Sequence, residues 1–275
     1  MQFLRTTVWR AVGIAFIVLL VTAISPSLLG GSDGTSRLSE NTMIAGYVAF
    51  ALGMLMPISF LKIPSTLIHE VGHALMSSLL GGKVQYIRVE IDESGVTWSK
   101  YKGSRLRIFL VAICGPLANA IFLFFTVGLI VHNLATNWIL FTLMSLVLIT
   151  ITTVRSFWGW LVSIFITLLL VESLAKSLQI SSATDTFSGI GIWTQSSINL
   201  AVVFAMYTAA IELKYSWRVR KPRSANQDEY KAGRAIGISP NGGGHLIFIA
   251  NATVIALAIS QALGWTNLWT PGNFF

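Results

Sequence analysis

Charged side chains are scarce in this chain. Only 11% of its 275 residues are Asp, Glu, Lys or Arg, whereas 54% are hydrophobic. A soluble domain typically has about 25% charged residues. The single cysteine, Cys114, excludes a disulfide within the chain. Internal repeats and low-complexity segments are also missing, which argues against solenoids and disordered tracts. The composition that remains is that of one membrane-embedded domain.

Apolar stretches long enough to cross a bilayer recur along the sequence. They occupy residues 8–30, 43–62, 106–131, 138–154, 157–175, 197–213 and 245–264. We therefore predict an all-α polytopic membrane protein with about six to seven transmembrane helices, one shorter helix and a small β-hairpin. Within this single domain, 1–275, the predicted parts are N-terminal helices at 1–62, a motif helix with hairpin and span at 63–131, core helices at 132–213, a basic cytoplasmic loop at 214–243 and a C-terminal helix at 244–275.

The net charge of +8 is concentrated in one predicted loop, where only Asp228 and Glu229 are acidic. Its basic residues are Lys214, Arg218, Arg220, Lys221, Arg223, Lys231 and Arg234. No base-stacking or base-reading module accompanies them, so we expect no nucleic-acid partner. Membrane proteins keep such loops in the cytoplasm. Arg5 and Arg10, at the N-terminal end of the first apolar stretch, put the N-terminus on the same side.

One ionisable cluster interrupts the apolar sequence: His69-Glu70-Val71-Gly72-His73. Residues four apart share a helix face, so His69 and His73 can bind one Zn²⁺ ion. Glu70 lies near enough to take a proton from a zinc-bound water. Ionisable residues in apolar segments are functional candidates. A structural or chance origin of the pattern is the alternative.

A helix is predicted around this motif. Pro64-Ser65 or Ser65-Thr66 is a plausible start, and Gly81-Gly82 marks the end. In such a helix of about five turns, the four-residue spacing puts both histidines on one face, where they can share a metal ion.

Residues 84–91 alternate in the manner of a β-strand, residues 92–95 supply a turn, and residues 96–98 start a return strand. We predict a short β-hairpin. It is either a surface connection between two helices or an exposed strand edge that pairs with an unwound substrate segment.

The sequence Gly115-Pro116-Leu117-Ala118-Asn119 interrupts the span at 106–131. Gly and Pro loosen a helix, and Asn119 places an amide among apolar residues. The motif either kinks the helix and forms interhelical hydrogen bonds, or contacts substrate. In the second case Gly115 and Asn119 would bind the substrate, and Asn119 would hold its backbone or the developing oxyanion.

These motifs together resemble the site-2 protease family of intramembrane zinc metalloproteases, most of all its small bacterial relatives without a PDZ domain. The resemblance rests on residues 69–75, 81–84 and 115–119 and covers residues 60–130. It implies that His69 and His73 bind zinc, that Glu70 is the catalytic glutamate and that Asn119 lies near the substrate. It also implies a multi-pass protein of the bacterial inner (plasma) membrane.

The third zinc ligand of that family, an aspartate in an Asn-Pro…Leu-Asp-Gly pattern, has no counterpart in this sequence. Catalytic zinc needs three protein ligands and one open position. We predict Asp185 as the third ligand, because it lies at a family-like distance in a segment poor in charge and resembles the Thr-Asp of the shorter relatives. Helix capping or a turn is its alternative role. Glu172, which Lys176 can pair, and His245 are weaker candidates.

The predicted activity is hydrolysis of peptide bonds in membrane-associated proteins, with water activated by zinc and Glu70 as general base. The alternative is a polytopic membrane protein that binds zinc without hydrolysis, for metal handling, transport or scaffolding. The expected partners are a membrane-spanning protein substrate and the lipid bilayer.

Overall fold

A computed structural model describes residues 40–55, 59–90, 94–100, 103–131, 147–177, 194–222 and 224–263, together with residues 7, 10, 11, 13 and 14. Residues 147–153 are helical. The two strands are β1 (Lys83–Val89) and β2 (Gly95–Lys100). The longer helical elements are α1 (Glu40–Leu55), α2 (Ser59–Leu79), α3 (Arg105–Val131), α4 (Phe157–Ser177), α5 (Thr194–Val219), α6 (Asp228–Ile236) and α7 (Pro240–Ala262).

The architecture is mostly helical with one small hairpin, as predicted. Two helical segments within the described ranges are long and apolar enough to cross a membrane: Arg105–Val127 in α3 and Pro240–Ala262 in α7. Helix α1 contains a shorter apolar stretch, Asn41–Leu55. The total of six to seven spans stays a prediction, because the predicted spans at 8–30 and 138–154 lie largely or partly outside the described residues.

Helix α2, which carries the histidine motif, begins earlier than predicted, at Ser59. Pro64 therefore lies inside the helix, where it removes one i→i−4 hydrogen bond. The prediction of a start at this proline was wrong. Burial of Ile63 in the core stabilises the additional turn.

The end of α2 is confirmed at the predicted glycines. Gly81 has a φ of +88°, a conformation that costs glycine little because it has no Cβ. The amide of Gly82 donates to the carbonyl of Ser77 at 2.8 Å, which satisfies one of the last carbonyls of the helix. The chain then turns directly into β1.

The hairpin pairs β1 and β2 antiparallel, with Ile87 opposite Thr97. A register shift between Val84 and Tyr86 marks a bulge in β1. Because the bulge inserts one residue into the alternation, Val84 as well as Ile87 is buried. The hairpin thus packs its apolar face into a core shared with α2 and α4.

Helix α3 lies at the centre of the described structure and contacts α2, α5, α6 and α7. It approaches α2 closely at Gly72, where a Cβ would lie 2.7 Å from the Cβ of Ala118. A second core connects α3 with α1, α5 and α7; its buried residues include Met43, Ala120, Leu123, Val202, Met206, Ile255 and Ala258. The motif face of α2 is therefore held against the middle of α3.

The segment 214–243, predicted as a basic loop, is largely helical. Helix α5 continues to Val219, and α6 forms within the segment. Helix α6 is amphipathic: it buries Ala232 and Ala235 and exposes Lys231 and Arg234. This buried face packs on α3 and α7, and the packing of this short helix explains the difference from the prediction.

Candidate metal centre

His69 and His73 lie one turn apart on α2 and turn their rings toward each other. The ring centroids are 4.9 Å apart in an edge-to-face arrangement. The two Nε2 atoms are 3.2 Å apart. The helix thus brings both imidazoles to one point, as expected of residues that share a face.

The Nδ1 atoms of both rings point to acceptors on other helices. His73 Nδ1 donates to the carbonyl oxygen of Val111 at 2.7 Å. His69 Nδ1 lies 3.3 Å from Glu212 Oε2. A carbonyl only accepts, so the proton of a neutral His73 sits on Nδ1 and its Nε2 lone pair faces the cluster. The carboxylate favours the same tautomer of His69.

Asp228, the first residue of α6, adds a carboxylate to the two imidazoles. Its Oδ2 lies 3.0 Å from His73 Nε2 and 3.3 Å from His69 Nε2. The three donor atoms form a triangle with edges of 3.0–3.3 Å. Among the described residues, these three form the group able to offer converging donors to a metal ion.

The triangle of donors fits a zinc ion. Tetrahedral Zn²⁺ has bonds of about 2.0–2.2 Å to imidazole nitrogen and carboxylate oxygen, which sets neighbouring ligand atoms about 3.3 Å apart. Two imidazoles and one carboxylate are also a donor set of catalytic zinc, which keeps its fourth position open. Lone pairs that converge at these distances repel one another, and a cation between them removes the repulsion.

Asp228 is held as an anion by its surroundings. Its second oxygen, Oδ1, lies 3.5 Å from the ammonium group of Lys231. Burial opposes ionisation, but when the two imidazoles are protonated, the charge of His73 and the hydrogen bonds that both rings donate hold the pKa of Asp228 well below its usual range. In contrast, burial raises the pKa of the adjacent Glu229 to about 7. The two neighbouring carboxyl groups are therefore shifted in opposite directions.

Glycines at the start of α7 allow α6 to pack where it does. A Cβ on Gly243 would collide with the backbone carbonyl of Glu229 and the amide of Gly233. A Cβ on Gly244 would collide with the backbone of Arg220, at the end of α5. Because these glycines have no side chains, α6 packs directly on α7. This packing brings Asp228, the first residue of α6, to the histidines.

Glu70, the predicted general base, is 6% exposed and lies against the start of β2. A Cβ on Gly95 would lie 2.6 Å from Glu70 Oε1. The hydroxyl of Thr97 donates to the backbone carbonyl of Glu70 at 2.8 Å. The hairpin therefore covers the glutamate, and the glycine leaves room for its carboxyl group.

Gly115 and Asn119, predicted to contact substrate, lie within the packing between helices. A Cβ on Gly115 would overlap the imidazole of His73, so this glycine makes space for the ring. Asn119 is fully buried. Its amide nitrogen donates to the carbonyl of Ser65 at 3.1 Å and to Glu212 Oε2 at 3.3 Å. Through these contacts Asn119 supports Glu212 beside the cluster, and contact of Gly115 and Asn119 with substrate stays a prediction.

Asp185, predicted as the third ligand, lies outside the described residues, and so does the side chain of Glu172. His245 is exposed on α7 and does not belong to the donor group. In the described part of the chain, the carboxylate that meets both histidines is Asp228, not one of these candidates.

Asp228 and Glu212 were missed as site residues from the sequence. Asp228 stands with Glu229 in a strongly basic segment, where such a pair of acids is typical of a solvated surface, so no local signal pointed to it. Glu212 ends the apolar stretch 197–213, and an ionisable residue in such a stretch is a signal of function. That signal was available, although only the fold shows that Glu212 reaches His69.

Comparison with known proteins adds one finding. A family model described as Peptidase M50B-like matches residues 42–258, a range that contains the motif helix, the hairpin and Asp228. No curated protein and no solved structure matches the chain. The family match extends over more than half of the chain and agrees with the resemblance to site-2 proteases. This chain belongs to the Peptidase M50B-like family.

Proposed function

We propose that this chain is an intramembrane zinc metalloprotease of a bacterial inner membrane that hydrolyses a peptide bond in membrane-associated proteins. The observation that carries the proposal is the convergence of His69 Nε2, His73 Nε2 and Asp228 Oδ2 at 3.0–3.3 Å. Membership of a peptidase family supports hydrolysis as the use of this site.

A zinc ion held by His69, His73 and Asp228 would acidify a bound water and polarise the scissile carbonyl. Glu70 is not one of the three converging donors, so its carboxylate is available as general base. It would accept the proton of the attacking water and pass it to the nitrogen of the leaving amine. The hydrogen bonds at both Nδ1 atoms would keep the Nε2 lone pairs available to such an ion.

We further propose that substrate binds along the outer edge of β2. The outer edge of β1 is already paired with residues 154–156, where the amide of Arg155 donates to the carbonyl of Ile87 at 2.8 Å. In the described ranges no strand pairs with the outer edge of β2, and Gly95 at its start contacts Glu70. A substrate segment unwound from its helix has free amides and carbonyls that such an edge can pair.

Cleavage by the purified full-length protein in liposomes, offered a panel of single-span test substrates, tests the proposal. Wild type is expected to cut at least one substrate at a defined bond. Glu70→Gln is expected to lower the rate about 10²–10⁴-fold, because the general base is lost, while about one zinc per chain is retained. Glu40→Gln makes the same chemical change at the first residue of α1 and should cleave as wild type does.

The outcomes separate the two functions predicted from the sequence. Equal cleavage by wild type and Glu70→Gln would refute the assigned base. Bound zinc without any Glu70-dependent cleavage would favour a zinc-binding protein that does not hydrolyse. A wild-type protein that binds no zinc would refute the metal site itself.

A further inference from the structure

We propose that Glu212 is a positioning residue: its carboxylate fixes the ring of His69 with Nε2 toward the metal and thereby raises the affinity of the site for zinc. This inference rests on the proposed zinc site, and it concerns a residue on α5 that supplies none of the three converging donors.

The contacts of Glu212 connect three helices. Glu212 is 5% exposed, and its Oε2 lies 3.3 Å from both His69 Nδ1 and the amide nitrogen of Asn119. Asn119, on α3, also donates to the backbone carbonyl of Ser65 on α2. The carboxylate is therefore oriented from α3 while it holds a ring on α2.

The two histidines are supported differently. His73 donates from Nδ1 to a neutral backbone carbonyl, that of Val111. The corresponding partner of His69 Nδ1 is the carboxylate of Glu212. A charged acceptor makes the imidazole a stronger donor to a cation at its other nitrogen, and partners of this kind typically change metal affinity about 10–100-fold.

The energetics of burial also connect Glu212 with the metal. Its second oxygen, Oε1, is buried and has no hydrogen-bond partner among the residues that the structure describes. A buried carboxylate that is only partly satisfied is costly unless opposite charge lies nearby. A divalent cation on the far side of the His69 ring would supply that charge. A bound zinc ion and the buried carboxylate of Glu212 should therefore stabilise each other.

A direct part in proton transfer does not fit the same geometry. Glu212 meets His69 at Nδ1, whereas the donor triangle is at Nε2, on the opposite side of the ring. Glu70 lies on the motif helix itself, under the hairpin. Glu70 and Glu212 therefore have different positions, which suit Glu70 to act as the base and Glu212 to orient His69.

The test is zinc affinity of the purified full-length protein, measured by competition with a chromophoric chelator, with absorption spectra of the Co²⁺-loaded protein as a second readout. Glu212→Gln keeps the shape but removes the charge and is expected to weaken zinc binding about tenfold; Glu212→Ala should weaken it by up to about 100-fold. Both should alter the Co²⁺ ligand-field bands, because the His69 donor changes.

The matched control is Thr208→Val, one turn earlier on the same helix. Thr208 is fully buried, and within the described residues its hydroxyl donates to the carbonyl of Ala205 on the same helix at 3.2 Å. The Thr208→Val variant should bind zinc as wild type does. Asn119→Ala gives an independent second variant: it leaves the carboxylate in place but removes its orienting donor, so a several-fold loss of affinity is expected.

Wild-type zinc affinity and Co²⁺ spectrum in Glu212→Gln would overturn the inference. So would an equal loss in Thr208→Val, since the effect would then be general destabilisation. If Glu212→Gln does not fold, Asn119→Ala decides: unchanged affinity refutes the inference, and a several-fold loss with altered Co²⁺ bands supports it. If only the inference about Glu212 fails, the wild-type protein still binds zinc and still shows Glu70-dependent cleavage. If the proposed function fails, zinc binding, Glu70-dependent cleavage or both are absent from the wild type.

Discussion

The two sides of the donor cluster are built in different ways. His69 and His73 come from one helix, and their spacing alone brings the rings together. Asp228 lies 155 residues after His73 and reaches the cluster because α6 packs on α3 and α7. One side depends on local helix geometry and the other on long-range packing. A change in distant packing should therefore affect the carboxylate while the histidine pair stays in place.

Removal of a donor should have the largest effect. Asp228→Ala and His73→Ala are each expected to weaken zinc binding more than about 100-fold, beyond the range seen for residues that only support a ligand. Asp185→Ala, which removes the carboxylate predicted from the sequence, should change it little. Zinc content after dialysis against a chelator measures all three. A large loss of zinc in Asp185→Ala with none in Asp228→Ala would show that Asp185, and not Asp228, is the third ligand.

Steric changes beside the ligands should come next. Gly243→Ala forces α6 away from α7 and should weaken zinc binding about 10–100-fold, with about 1–3 kcal/mol lost in stability from overpacking. The adjacent Gly242→Ala is the control, since its Cβ would meet side-chain atoms rather than backbone: the flexible end of Ile238 at 3.1 Å and the hydroxyl of Ser239 at 3.4 Å. Zinc titration and thermal unfolding distinguish the two. Equal behaviour of both variants would contradict the role given to Gly243.

An equivalent steric change beside His73 tests the histidine side of the donor cluster. Gly115→Ala places a methyl group where the imidazole of His73 lies. It should disturb the pair and weaken zinc binding about as much as Gly243→Ala does. Co²⁺ spectra would then show a changed nitrogen donor. Wild-type spectra and affinity in Gly115→Ala would mean that α2 and α3 separate without effect on the site.

Gly95→Ala should separate metal binding from catalysis. Its Cβ would lie 2.6 Å from Glu70 Oε1, so the carboxyl group must move, whereas the three donors are untouched. We expect zinc content to stay at the wild-type level and cleavage to fall about tenfold or more, because a general base acts only within hydrogen-bond reach. Loss of zinc in this variant would contradict this separation of the base from the metal ligands.

Lys231→Met should have the smallest effect. The ammonium group is 3.5 Å from Asp228 Oδ1, but its side chain is 46% exposed. Exposed ion pairs of this kind contribute about 0–1 kcal/mol, so zinc affinity should fall no more than about fivefold. Titrations at low and high salt check the cause, since screening should reduce the difference between Lys231→Met and wild type.

The features that could be predicted are those set by neighbours in sequence. The turn at Gly81 and Gly82, the hairpin, and the shared face of His69 and His73 all follow from spacing and backbone preference. The start of α2 could not be predicted in this way: Pro64 signals a helix start locally, yet burial of Ile63 extends the helix past it. Local preference is weak, at most a few kcal/mol, and core packing exceeds it.

The sequence by itself determined that this is an apolar, helical protein with an imidazole pair and a glutamate on one helix, because i, i+4 spacing needs no tertiary contact. Only the tertiary structure decided which carboxylate joins the pair and which residue supports His69. Asp228 and Glu212 lie on helices remote in sequence, and packing between helices, invisible to any local pattern, brings them to 3.0–3.3 Å from the rings.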